Sequence, residues 1–198
     1  MRMLNYIVLG MLYNGPLTGY DVKKWIENGI GVFYKASYGS IYPTLKLLSE
    51  QELVCLCPEE QGSSRQKKLY EITPKGRETF LDWLSQPIEA EDSGGKQNHL
   101  AKVYFFDVLP EEIASQQLAE YERKNLDYLN RLLALERSFD SPGNHEHHYY
   151  KMSTLYYGIG IVRETIRWCR HSRLKLPFRG LYEGGMAYEA DGKPDHTH

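Results

Sequence analysis

Cysteine is scarce in this chain, long apolar runs are missing, and neither sign of charge is in excess. Three cysteines in 198 residues, Cys55, Cys57 and Cys169, are odd in number and scattered, which excludes the disulfide framework of a small extracellular domain. Lys and Arg number 24 against 26 Asp and Glu, so bulk attraction to a polyanion is excluded. A nucleic-acid binder of this composition must gather its basic groups on one face. Arg2, Asn5, Asn14 and Gly15 interrupt the apolar opening, and no stretch reaches the roughly 20 residues of a spanning helix. No basic segment followed by an apolar core and a small-residue cleavage site marks a secretory signal. A soluble, cytoplasmic protein is therefore expected. Catalytic patterns are lacking too. No Gly-rich phosphate loop follows a strand, no Ser/His/Asp or Cys/His set stands out, and no carboxylate pair is set apart from ordinary surface charge, so no enzyme is expected.

What is present is helical periodicity broken by turns. Met3, Ile7 and Met11 form one i, i+4 row and Leu4, Val8 and Leu12 the row beside it, the pattern of a helix with a broad apolar stripe. Asn14-Gly15-Pro16 ends it. Thr18 is placed to cap a second helix over about Gly19–Asn28, with Val22, Trp25 and Ile26 inward and Lys23 and Lys24 outward. A third helix lies in "YGSIYPTLKLLSEQELV", Tyr38–Val54. Ile41, Leu45 and Leu48 share one face, and Tyr42, Lys46 and Ser49 cluster opposite. If Ser40 or a neighbour caps this helix, Pro43 falls in the first turn, where its missing N–H costs nothing.

"LVCLC", "PEEQGSS" and "RQKKLYEIT" then read as a β-hairpin with a long polar tip and a basic returning arm of Arg65, Lys67 and Lys68. Thr73-Pro74 opens a fourth helix with Phe80, Trp83 and Leu84 inward. Residues 87–97 form the clearest linker, combining Pro, Gly-Gly and acidic residues. Beyond it everything reads as helix. Leu118, Tyr121, Asn125, Tyr128, Leu132, Leu135 and Phe139 alternate steps of three and four, as do Met152, Leu155, Ile159, Val162, Ile166 and Cys169. Such alternation is a coiled-coil seam that calls for a partner helix, either within the chain or in a second copy. Apolar Leu126, Leu129 and Leu133 beside the first seam suggest contacts on more than one side, and a second copy is the expectation. Residues 176–198 have little periodicity and predict a mobile tail.

The segments "GSIYPTLKLLSEQELV" and "RQKKLYEITPKGRETFLDWL" resemble the PadR-like winged helix–turn–helix transcriptional regulators over about Met1–Leu84. The second half is similar, more weakly, to the dimerisation domain of that family's longer, virulence-activator-like branch. The resemblance implies a mainly α protein: a winged helix–turn–helix domain of three helices plus a hairpin wing (1–86), a linker (87–97), a helical, coiled-coil-like dimerisation domain (98–175) and the tail. It further implies a homodimer that binds double-stranded operator DNA, usually as a repressor, and that a small molecule can release. Tyr38, Gly39, Ser40, Tyr42 and Pro43 then fall at the DNA-facing start of the recognition helix, Lys46 one turn on, and Arg65, Lys67 and Lys68 in the wing. Leu118, Tyr121, Leu132, Met152, Leu155, Ile159, Val162 and Ile166 are the residues expected to join two copies. Where the family usually has Gly before "LV", this chain has Glu52, which is unsuited to a left-handed helix stop.

Bland readings compete with several of these. Tyr42 could be core. Cys55 and Cys57 share a strand face and are expected in the core rather than in a redox switch. His145, His147 and His148 lack further ligands at metal spacing, so no metal or other cofactor is expected. The aromatic pairs and triples at Tyr104–Phe106, Tyr149-Tyr150 and Tyr156-Tyr157, with Trp168, could line a pocket for a small aromatic effector at a domain or dimer junction. The surviving alternative is a winged-helix module that binds protein; its third helix would then show an apolar outer face.

Overall fold

The computed structural model describes residues 1–32, 34, 38–57, 68–88, 98–139 and 148–179. Arg65, Lys67, His145, His147 and the last residues, 180–198, lie outside that set. Helix α1 (Met3–Leu12) is buried almost all round, with Ile7, Val8, Leu9 and Leu12 fully inaccessible. It is the post around which α2 (Gly19–Asn28), α3 (Tyr38–Glu50) and α4 (Pro74–Ser85) pack. Each of those α1 side chains contributes on the order of 1.5–3 kcal/mol through burial. Helix α2 starts where its cap requires. Thr18 Oγ1 accepts from Asp21 N at 3.1 Å, and Thr18 N donates to Asp21 Oδ2 at 3.1 Å, a reciprocal capping box.

Three short strands form one antiparallel sheet in the order β1 (Leu17–Thr18), β3 (Leu69–Ile72), β2 (Val54–Leu56). Val54 pairs with Ile72 and Leu56 with Tyr70, while Leu17 faces Tyr70 from the other side. The hairpin base is thereby tied to the start of α2. Thr73 caps α4, accepting from Gly76 N at 3.0 Å, with Pro74 in the first turn.

Helix α3 ends in a left-handed stop despite its side chain. Glu52 has φ +61°; its N–H donates to Ser49 O, and Leu53 N donates to Leu48 O at 2.9 Å. These two bonds define a Schellman cap with Leu53 packed in the core near Leu48. An exposed ion pair of Glu52 with Lys75 at 3.4 Å offsets little of the strain. Glu52→Gly should therefore stabilise the protein by about 0.5–1 kcal/mol, left-handed strain outweighing the extra chain entropy of glycine. A denaturant midpoint that fell instead would contradict this.

Two expectations about local placement need correction. Trp25 is 54% exposed rather than inward, because Val22 and Ile26 already fill the face that α2 turns to α1. Pro43 is not in the first turn: α3 begins at Tyr38, so Pro43 stands in the second turn, where it cannot donate to Gly39 O.

The second half packs directly on the first. Helix α5 (Asn98–Val103) and a 3₁₀ turn (Phe106–Val108) set Phe105 against Phe80 with ring centroids 5.6 Å apart. Carbonyls at the end of α4 and just beyond it are met by side chains from this half. Gln117 Nε2 donates to Leu84 O at 2.8 Å, Lys102 Nζ to Gln86 O and Pro87 O, and Lys124 Nζ to Ile88 O at 3.2 Å. Donors and positive charge at a helix C-terminus are favourable. They hold the helical half in a set orientation to the sheet and α3.

Helices α6 (Glu111–Ser138) and α7 (Tyr149–Arg173) form an antiparallel hairpin. Glu122, three turns into α6, accepts from Arg170 Nε, near the end of α7, at 2.5 Å. This hairpin changes the reading of the seam. Leu118, Tyr121, Met152, Ile159, Val162 and Ile166 are buried within the single chain, and Leu132 and Leu155 are half-buried. Much of the apolar alternation packs on the neighbouring helix of the same chain, a partner tethered by a short connection, whereas Tyr128 and Leu135 of the same row are exposed. Cys169 belongs to the same buried set, its thiol pushed up to about 12 by burial and then by the nearby Glu122 charge. No helix among the described residues is long and apolar enough to cross a membrane.

Candidate nucleic-acid interface

Helix α3 divides cleanly into two faces. Ile41, Thr44, Leu45 and Leu48 are buried, whereas Gly39, Tyr42, Pro43, Lys46, Leu47 and Glu50 form a continuous exposed stripe. The inward residues leave the helix no freedom to roll, so the stripe is presented in a fixed direction. Tyr42 is 61% exposed, against its reading as a core residue. Its ring is braced on Gly19, where an added Cβ would lie 2.6 Å from Tyr42 Cε1. Glycine at the front of α2 thus lets the tyrosine lie close over the turn while its outer edge stays free. Lys46 reaches outward, paired loosely with Glu50 at 3.8 Å.

The other expected residues divide. Ser40 is partly buried, its carbonyl accepting from Thr44 Oγ1 at 2.7 Å, so it shapes the front of α3 more than it protrudes. Tyr38 is the first residue of α3. In the wing Lys68 is exposed just before β3, and Arg65 and Lys67 fall outside the described residues. Cys55 is exposed and Cys57 half-buried, so neither is the core residue expected. The Cys57 thiol is pushed up from its ordinary value by desolvation and by neighbouring Glu71, the opposite of what a reactive thiolate needs.

Sequence periodicity missed the groups that flank α3. Arg2, exposed ahead of α1, lines an open groove of about 750 Å³ with Gly39, Ser40, Pro43 and Leu47. On α2, Tyr20 is exposed, with Lys23 Nζ 5.9 Å from its ring centroid. Arg2 comes from outside α3, and only the packing of α1 against α3 brings it to that edge. A helix about 10 Å across with an exposed polar stripe and a cation at its edge fits a B-DNA major groove bounded by phosphate backbones.

Comparison with known proteins gives the same direction. Residues 8–82 match the transcriptional regulator PadR-like family and residues 96–176 match the virulence activator alpha C-terminal family. The negative transcriptional regulator PadR of Bacillus subtilis is 33% identical over 134 residues, covering 67% of this chain and 72% of that protein. The chain belongs to the PadR-like family of transcriptional regulators. Another relative, the transcriptional regulator YqjI of Escherichia coli, is 36% identical over 86 residues, 43% of this chain and 38% of that one. Among solved structures, Bacillus subtilis PadR in complex with operator DNA is 26% identical, with a TM-score of 0.44 over 89% of this chain and all of that one. The Vibrio cholerae virulence activator AphA is 26% identical, with a TM-score of 0.40 over 87% and 97% of the two chains.

Proposed function

We propose that this chain is a homodimeric, cytoplasmic repressor that places α3 in the major groove of operator DNA, rests its wing on the flanking phosphates, and is released by a small aromatic effector. The exposed stripe of α3, with Lys46 on it and Arg2 lining the groove beside it, is the observation that carries this reading. The relative PadR is named a negative transcriptional regulator, and its solved complexes hold operator DNA in one case and p-coumaric acid in another.

Dimerisation finds support in what the hairpin leaves uncovered. On the distal part of α6 the leucines Leu126, Leu129, Leu132 and Leu133 are only half-buried, and Leu135 is exposed. Tyr150, Tyr157 and Ile161 follow one another along an exposed face of α7. Uncovered apolar side chains in this number on a regulator fit a second copy of itself. The two recognition helices of such a dimer would read half-sites about 10 bp, or a multiple of that, apart.

The test separates base reading from phosphate contact. Tyr42→Ala should reduce preference for the operator over random duplex by roughly tenfold, while Arg65→Ala should weaken binding to both alike and lower the salt slope by about one unit per contact. Uniform loss in both variants with specificity intact would remove base reading from α3.

A further inference from the structure

We infer that the open cavity between the end of α1 and the α5 corner binds an aromatic cation, and that this is the chemical class of the effector. The second part rests on the reading of the chain as an effector-released regulator. The cavity measures about 600 Å³, the size of a small-molecule site. It is walled by Trp25 and Tyr104, both partly exposed, and by Phe105. An exposed Trp inside the bend of a helical corner costs hydrophobic free energy that a ligand would recover.

The wall is preorganised. Phe105 packs on Gly10, where any Cβ would lie 2.7 Å from the ring, and Tyr104 meets Phe105 edge to face with centroids 5.1 Å apart. Phe105 cannot swing without disturbing α1, and Tyr104 is held between Phe105 and Gly29, where an added Cβ would lie 2.9 Å from the tyrosine hydroxyl.

Charge chooses among aromatic ligands. Asp107 is the one charged side chain among the described residues lining the cavity, and none of them is Lys, Arg or His. Gly10 and Met11 in the last turn of α1, with Asn14 just beyond it, also line the space. The negative end of that helix dipole therefore points the same way as the carboxylate. A carboxylate ligand would meet repulsion without a compensating cation. An ammonium would gain both an ion pair and the faces of Trp25 and Tyr104.

Three ligands sharing one indole ring test this on the full-length protein without DNA: tryptamine, 3-ethylindole and indole-3-propionate, each titrated calorimetrically. Tryptamine should bind roughly tenfold more tightly than 3-ethylindole, a gain that shrinks at high salt because the site is open, and indole-3-propionate should bind least. Asp107→Asn should erase the advantage of the cation and leave 3-ethylindole unchanged. Trp25→Ala, at an exposed position that does not threaten folding, should weaken all three. Equal binding of the three, tighter binding of the carboxylate, or no binding of tryptamine would overturn the inference. Tryptamine binding that leaves a preformed operator complex intact would overturn the effector assignment alone and leave the site's preference standing.

Discussion

Lys46→Glu is expected to weaken operator binding by at least about 100-fold near physiological salt. Lys46 stands on the exposed stripe of α3 with its side chain 79% accessible, and Glu50 lies 3.8 Å from its ammonium. Approach of a phosphate would draw the lysine from that exposed pair at little cost, because a surface ion pair of this kind is worth at most about 1 kcal/mol. The reversal removes an attraction, adds a repulsion and leaves two carboxylates on the face that meets DNA; in a homodimer it does so twice. Glu50→Gln should act in the opposite sense and tighten binding a few-fold. Fluorescence anisotropy with a labelled duplex measures both. A loss of threefold or less in the Lys46 variant would mean that this face of α3 does not lie against DNA.

Gly76→Ala should destabilise the protein by about 3 kcal/mol and lower its melting temperature by roughly 6–12 °C. Helix propensity alone predicts the reverse, since alanine is favoured over glycine inside a helix by about 1 kcal/mol. The packing decides. Gly76 sits in the first turn of α4, its N–H donating to Thr73 Oγ1, and a Cβ there would collide with the carbonyl of Leu53. That oxygen accepts from Thr73 N at 3.0 Å, and Thr73 Oγ1 donates to Glu52 O at 2.7 Å. The end of α3, the entry to β2 and the start of α4 are thus joined at one point that tolerates no side chain. A melting temperature that rose in the variant would show that the close approach is absent.

The local grammar of the fold was legible because each element carries its own boundary chemistry. Thr18 and Thr73 announce their helices as caps, and both accept from the backbone as expected. Ile41, Leu45 and Leu48 define the buried face of α3, and Tyr42 and Lys46 the open one. Misreadings came where tertiary contact overrides a one-dimensional pattern. Trp25 has the spacing of a core residue, yet Val22 and Ile26 saturate that face. The alternating leucines and isoleucines of α6 and α7 specify a partner helix without specifying whose; the neighbouring helix of the same chain buries Leu118, Ile159 and Ile166 and leaves Tyr128 and Leu135 exposed.

Polar residues were the least legible. Lys102 and Lys124 read as ordinary surface charges, but their ammonium groups reach the carbonyls at the end of α4, and Lys102 is only 6% exposed with Trp83 beneath it at 5.3 Å. Arg2 likewise acquires meaning only when α1 lies beside α3. Glu52 shows the converse: a residue type that argues against a left-handed stop is held in one, because the two Schellman bonds and the burial of Leu53 outweigh the strain.

The central claim is selective recognition of DNA through α3, and a salt titration addresses it most directly. Binding of the full-length protein to the duplex upstream of its own coding region would be followed across salt concentration, with random duplex as competitor. Preference for the upstream duplex is expected, with log affinity falling linearly in log salt as phosphate counterions are released. No binding to either duplex at low salt would contradict it, and would assign the exposed face of α3 to a protein partner.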